Sequence, residues 1–351
     1  MPTLVKSTHY LQHHAFELLF VLTLLLLVDV SFAATINGAA RALPSPSQNP
    51  VQSSEEGPPL TLTDDMGRVI RLERSAARIV SLSPSITELV FEAGAGSKLV
   101  GVSGHSDYPD SARSIPEIGD ASNLDLERIV ALKPDLVIAW RSGNALSDIE
   151  KLEKLGFAVF ATEATRLEDI PRLLRSTGYL AGTFSQAEAS ASRFEETLRQ
   201  IRHSYINRAK LKVFQLIWYQ PLMTINGSHL MSNIIELCGG VNVFASSSFL
   251  TPVISAEDLL QANPEVIISS VSHELAETEV KARLSRFSNI EAVRHNHLYS
   301  VHPDLMHRQT PRLIEGAKTV CAKLENARSA LTEKAAATGS RPPRGLREKF
   351  S

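Results

Sequence analysis

Four histidines, His295, His297, His302 and His307, fall within one short segment of the chain. Three or four imidazoles held close together could bind zinc. The surrounding pattern argues against it. His295 and His297 flank a loop entering a predicted strand, Leu298-Tyr299-Ser300-Val301, and His302 and His307 follow that strand. Plain surface histidines fit this spacing, and no metal site is expected. Asp64-Asp65 suggests paired carboxylates for acid–base work. They sit in Asp64-Asp65-Met66-Gly67, where a hairpin turn explains both aspartates and the glycine. There is no G-x-S-x-G elbow, no Gly-rich phosphate loop, no H-E-x-x-H and no C-x-x-C. The chain is expected not to be an enzyme and to need no cofactor.

Aromatic residues are only 6% of the chain, so the few Trp and Tyr residues in loops stand out. In open α/β sheets, ligands bind at the carboxyl ends of the strands. Two such loops lie in the first half: His105-Ser106-Asp107-Tyr108 after Val102, and Trp140-Arg141-Ser142-Gly143-Asn144 after Ile138. Two lie in the second half: Trp218-Tyr219-Gln220-Pro221 after a strand over 213–217, and Asp304-Leu305-Met306-His307 after Val301. Both tryptophans therefore fall at predicted strand ends. A flat ligand with a large apolar face and a polar rim suits such walls. Packing of the sheet ends is the alternative role for Trp140 and Trp218.

The elements that must position these loops follow from the pattern. Leu60 to Thr63 and Val69 to Leu72 flank the aspartate turn as a β-hairpin. Arg78 to Leu82 reads as a buried strand. A helix then opens with Ser85 as N-cap and Glu88 three residues on, a capping-box pattern, and ends near Gly94 and Gly96. Leu99 to Val102 is the next strand. Strands alternating with helices imply a mainly parallel sheet.

An internal repeat carries the domain reading. Residues 125–140 align without gaps on residues 255–270, matching Glu127 with Glu257, Pro134 with Pro264 and Ile138 with Ile268. Each copy is a short helix, a Pro-containing turn and a buried strand. A looser echo pairs Ile86 to Val102 with Met231 to Phe244. Two echoes in the same order predict two similar α/β lobes, over 60–182 and 213–335. Between them, 183–212 reads as one long helix: from Ser185 to Lys212 there is no Gly or Pro, and Phe194, Leu198, Ile201 and Tyr205 recur at helical spacing. A single stiff helix between lobes would limit hinge closure.

The ends set the compartment. Lys6 precedes an apolar run from Leu18 to Val28, and Ser31-Phe32-Ala33 supplies small residues for a signal peptidase. Residues 1–33 read as a secretory signal cleaved near Ala33, placing the mature chain in the periplasm; an uncleaved anchor is the alternative, with a core run short for a span. Residues 34–59 read as a Ser-, Pro- and Gly-rich disordered leader and 336–351 as a frayed basic tail. The net charge of −2 gives no reason to expect a nucleic-acid partner. The even pair Cys238 and Cys321 in an exported chain suggests one disulfide, with two buried free thiols as the alternative.

Several segments together carry a resemblance. Ser106 to Pro109, Leu126 to Arg141, Leu237-Cys238-Gly239-Gly240-Val241-Asn242-Val243-Phe244 and Pro311-Arg312-Leu313-Ile314 closely resemble the periplasmic cobalamin-binding proteins of ABC importers, over about residues 60–330. The resemblance implies two Rossmann-like lobes joined by a backbone helix, with the ligand in the cleft. It implies Tyr108 and Trp140 as walls for a corrin from the first lobe and Asp304 as a contact to its amide rim from the second. It implies a Cys238–Cys321 disulfide. It implies Glu127 and Glu257 as the carboxylates, one per lobe, that dock onto a permease dimer. The family pattern also has a Trp before each docking helix; here Ala121-Ser122-Asn123 and Thr251-Pro252 stand instead, with Trp218-Tyr219 as a compensating pair. The expected function is capture of cobalamin by a monomer and delivery to an ABC transporter. A related corrinoid, haem or a ferric siderophore remains an alternative ligand, and an exported enzyme on the same fold a more distant one.

Overall fold

The computed structural model describes residues 58–270 and 274–338. The expected signal segment, nearly all of the expected leader and the end of the tail lie outside the described residues. Those described belong to one compact unit.

The hairpin comes first, β1 (Leu60–Thr63) with β2 (Val69–Leu72) antiparallel. Its turn is built by Asp64, whose Oδ1 accepts from the Met66 and Arg68 backbone N–H groups at 2.9 and 2.8 Å. Asp64 Oδ2 takes the Arg68 guanidinium and the Ala161 N–H. Asp65 accepts from Glu163 N–H at 2.6 Å and pairs with Arg172. The two aspartates thus fasten the hairpin to the first lobe, as turn chemistry rather than acid–base chemistry would have it.

The first lobe continues with β3 (Ile79–Ser81), α1 (Pro84–Glu92), β4 (Leu99–Val102), a short ribbon β5 (Gly119–Asp120) and β6 (Asn123–Leu124), α2 (Leu126–Leu132), β7 (Leu136–Trp140), α3 (Leu146–Lys154) and β8 (Val159–Thr162). Its sheet is parallel, in the order β4-β3-β7-β8. The N-cap of α1 is Ser83, whose side chain accepts from Ile86 N–H, and not the expected Ser85. Pro84 explains the shift: it lacks an N–H and fits the first helical position, so the helix starts at Pro84 and the cap falls on the residue before it. Glu88 is then no capping residue.

Two helices lead to the second lobe, α4 (Asp169–Ala181) and α5 (Phe184–Tyr205). A Cβ on Gly178 would collide with the Ala187 Cβ, so that glycine lets the two helices cross closely. The expected helix over 183–212 runs only from Phe184 to Tyr205. Leu211 and Lys212 instead begin a strand, because Leu211 is buried there and pairs with Gly240; sheet pairing outweighs helical composition.

The second lobe comprises β9 (Leu211–Leu216), α6 (Leu230–Leu237), β10 (Gly240–Asn242), α7 (Ala256–Ala262), β11 (Val266–Ser270), α8 (Glu274–Leu284), α9 (Glu291–Arg294), β12 (Leu298–Val301) and α10 (Leu313–Thr338). Its sheet is also parallel, in the order β10-β9-β11-β12. In both lobes the second strand lies outside the first, and the third and fourth follow on the other side. The repeat is therefore a repeat of topology. The helix α10 reaches Thr338, so the first residues assigned to the tail are helical.

The lobes share apolar mass. Leu89 and Ala93 of α1, Leu173 of α4 and Phe194, Leu198 and Ile201 of α5 belong to one buried cluster with Val213, Ile234 and Ile268 of the second lobe. Cys238 and Cys321 form a disulfide that ties the end of α6 to α10 across 83 residues. Arg328 closes the same corner, donating to the Cys238 and Ala209 carbonyls at 2.6 and 2.8 Å.

Candidate functional site

The carboxyl edges of the two sheets meet along one segment, residues 304–312. It leaves the carboxyl end of β12 and lies against residues that leave the carboxyl ends of β4 and β8. Arg308 is the centre of that contact. Its Nη1 donates to Glu88 Oε1 at 2.7 Å and to Asp107 Oδ1 at 2.8 Å, and its Nε faces Asp304 at 3.1 Å. Arg312 reaches the same Glu88 oxygen at 3.0 Å. Gln309 Oε1 accepts from Ala164 N–H at 3.0 Å, and its Nε2 donates to Glu163 at 2.9 Å.

Glu88 is 1% exposed, and its Oε2 has no hydrogen-bond partner. Burial pushes its carboxyl up, while the Arg308 and Arg312 guanidiniums pull it back toward the ionised form. Burial also acts on Asp107, but the Arg308 hydrogen bond and charge prevail and hold it below the usual carboxylate range. A desolvated carboxylate beneath two guanidiniums fixes the relative placement of the lobes at this point. Sequence reading missed Glu88 and Arg308, and saw in Arg312 only part of a family segment.

Tyr108 is 41% exposed and lies beneath Arg312, the guanidinium carbon 4.1 Å from its ring centroid. Arg312 thus covers one face of the phenol ring. Trp140 is half-buried at the end of β7 and packs on the first-lobe core. It also lies over Gly143, where any Cβ would run into its ring. Its backbone N–H donates to Asn144 Oδ1 at 2.7 Å, and Asn144 Nδ2 reaches the Leu82 and Ala121 carbonyls. The loop after β7 is thereby pinned to two neighbouring strand ends. Packing of the sheet end is thus one role of Trp140, and its indole N–H is buried without an acceptor.

Asp304, the expected rim contact, is engaged by Arg308 and stands among the charges just described. Trp218 and Tyr219 lie elsewhere on the second lobe. The strand before them ends at Leu216, and they line a cavity of about 410 Å³ at the carboxyl edge of its sheet. Ser269 and Ser270 at the end of β11, Glu279, Val280 and Arg283 of α8, and Pro303 also line it. The five ligand candidates therefore divide: Tyr108 and Asp304 border the arginine cluster, Trp140 caps its own sheet, and Trp218 and Tyr219 wall the cavity.

Glu127 and Glu257 occupy equivalent places, each exposed and each the second residue of a seven-residue helix, α2 or α7. Asp125 and Ser255 cap those helices through their side chains, and Lys133 and Asn263 end them in left-handed conformation. The backbone presents the two carboxylates alike.

The histidines do not gather into one cluster. His295 and His297 lie side by side, ring centroids 5.7 Å apart. His297 is buried rather than on the surface as its spacing suggested, because its loop packs against the start of β11. His295 Nε2 lies 3.0 Å from Glu291, His297 Nδ1 lies 3.1 Å from the Glu265 carbonyl, and His302 accepts from Asp304 N–H. Among the described residues no group of three or more His, Cys, Asp or Glu side chains is placed to hold a metal.

Two parallel α/β lobes, joined through helices and facing each other with their carboxyl edges, define a solute-binding protein. The family of periplasmic binding proteins matches residues 79–305, and the chain belongs to that family. It is 33% identical over 249 residues to the vitamin B12-binding protein of Vibrio parahaemolyticus, covering 71% of this chain and 90% of that one. Among solved structures it is similar to the periplasmic vitamin B12 binding protein BtuF of Vibrio cholerae, at 32% identity and a TM-score of 0.67, covering 72% of this chain and 98% of the other. The periplasmic heme-binding protein RhuT from Roseiflexus shares the fold, at 21% identity and a TM-score of 0.65 over 72% of this chain and 99% of its own.

Proposed function

We propose that this chain captures cobalamin between its lobes and delivers it to the permease dimer of an ABC importer. The observation that carries the reading is the likeness to vitamin B12-binding proteins over nearly their whole length. Aromatic side chains at the first lobe's carboxyl edge support it, because a corrin offers a broad apolar face to Tyr108 and the half-buried Trp140 and an amide rim to Asp304 of the second lobe. Delivery is supported by Glu127 and Glu257, since two carboxylates presented alike suit a two-fold partner carrying basic groups. The chain works without catalysis, as an exported monomer whose signal segment is removed near Ala33.

Titration of the purified protein with cyanocobalamin, haemin and a ferric siderophore tests the ligand. Binding of cyanocobalamin at micromolar concentration or below is expected. Binding of haemin with no binding of cyanocobalamin would replace cobalamin by haem as the cargo.

A further inference from the structure

The cavity behind Trp218 and Tyr219 is too small for a whole corrinoid and large enough for one of its appendages. At about 410 Å³ it falls near the lower end of ordinary small-molecule pockets, ~300–1,000 Å³. Its wall combines flat and polar surfaces. Trp218, 62% exposed, stands at its border, while its indole N–H is spent on the Gln220 carbonyl at 2.8 Å. The wall therefore offers the ring as a stacking surface.

Positive charge is concentrated on one side. Arg283 lies over the Tyr219 ring at 5.0 Å and Arg286 at 5.7 Å. The Tyr219 hydroxyl in turn donates to the Arg283 carbonyl at 3.4 Å, tying the loop to α8. Glu279 pairs with Arg283. Arg286 has no carboxylate partner among the described residues, and only the Tyr219 and Phe287 rings lie under it. At the end of β11, Ser270 Oγ accepts from Gln215 Nε2 at 3.2 Å, which leaves its own proton to donate.

We propose that this cavity is a subsite for a flat heteroaromatic base joined through a ribose to a phosphodiester. The base stacks on the aromatic wall, and the phosphodiester meets Arg286 and Arg283 at the cavity mouth. A complete corrinoid carries such a nucleotide arm, and a nucleotide-free corrinoid does not. The inference rests on the reading above that a corrinoid is the ligand, and it makes the second lobe the part that tells complete from incomplete corrinoids.

Calorimetric titration of the full chain with cyanocobalamin and with dicyanocobinamide, which lacks the nucleotide, separates the two claims. The unaltered protein is expected to bind cyanocobalamin at least about tenfold more tightly. Arg286→Glu, at an exposed position, and Tyr219→Leu are each expected to reduce that preference to about threefold or less by weakening cyanocobalamin alone. Equal affinity of the unaltered protein for both ligands overturns the subsite and leaves the proposed function standing. So does an equal loss of both ligands in variants whose melting curves are unchanged. Failure of the unaltered protein to bind either corrinoid overturns the proposed function itself.

Discussion

Arg308 Nη1 stands 2.7 Å from Glu88 Oε1, joining the segment after β12 of the second lobe to α1 of the first. Both side chains are largely withdrawn from water, and Asp107, Asp304 and Arg312 complete the cluster. Together with the shared apolar cluster, this contact opposes free movement of one lobe against the other.

Arg308→Ala should therefore be costly. Removing one partner of a buried pair leaves the other desolvated, an effect of about 3–5 kcal/mol; Arg312 remains on Glu88 and puts the expected loss at the lower end. For a protein of this size that is a fall in Tm on the order of 10 °C. Glu88→Gln, which keeps an acceptor for Arg308, should cost less. A loss below about 1 kcal/mol for Arg308→Ala in denaturant titration would mean the contact behaves as a solvated surface pair.

Glu127→Lys combined with Glu257→Lys should separate binding from delivery. Both positions are exposed, so little stability is at stake beyond the favourable placement of an acid in a first helical turn, about 0.3–1 kcal/mol each. Cobalamin affinity should stay within about twofold, while uptake by cells dependent on the transporter should disappear. Unimpaired uptake would remove these residues from the docking surface, and loss of ligand binding as well would assign them to the fold.

Much of this was legible in the sequence because local pattern and tertiary role agree. The gapless match of 125–140 to 255–270 reappears as two helices of equal length with equivalent caps and strands of equal place in their sheets. The hairpin turn was readable for the same reason: Asp64 acts on its own neighbours. Legibility failed where a residue's partner is distant. Glu88 stands three residues after a serine and imitates a capping box, yet its partners Arg308 and Arg312 lie 220 and 224 residues away. The helix predicted to Lys212 failed similarly, since only the pairing of Leu211 with Gly240 makes that stretch a strand. The cavity behind Trp218 depends on α8 folding over the loop, a contact no spacing announces.

The Cys238–Cys321 bridge closes 83 residues, and both cysteines are buried. On the chain-entropy account a loop of this length stabilises the fold by about 4–5 kcal/mol, and removal of native disulfides commonly costs about 2–5 kcal/mol. Replacing both cysteines by serine should thus lower Tm by roughly 5–15 °C. Cyanocobalamin binding at 25 °C should persist, because the bridge joins α6 to α10 and contacts none of the aromatic walls. A Tm unchanged by reductant in the unaltered protein would indicate that the bridge is not formed in solution.

Acid sensitivity should begin with His229. Burial, with a smaller contribution from the charge of His307, pushes its imidazole down to about 4. Its Nδ1 accepts from Met231 N–H at 3.2 Å and caps α6, a role that requires the neutral ring. In the unfolded chain the same imidazole titrates near the ordinary value of about 6.5. Between these values the unfolded state binds more protons, so this contribution is complete above pH 6.5 and is lost as the pH falls toward 4. Carboxylates such as Asp107, held low by Arg308, withdraw their contribution only at more acid pH. Thermal melts from pH 7 to 4.5 should therefore show a falling Tm in the unaltered protein and a shallower fall in His229→Asn, which keeps a capping acceptor but cannot titrate. Parallel curves for the two proteins would exclude His229 as the source of the decline.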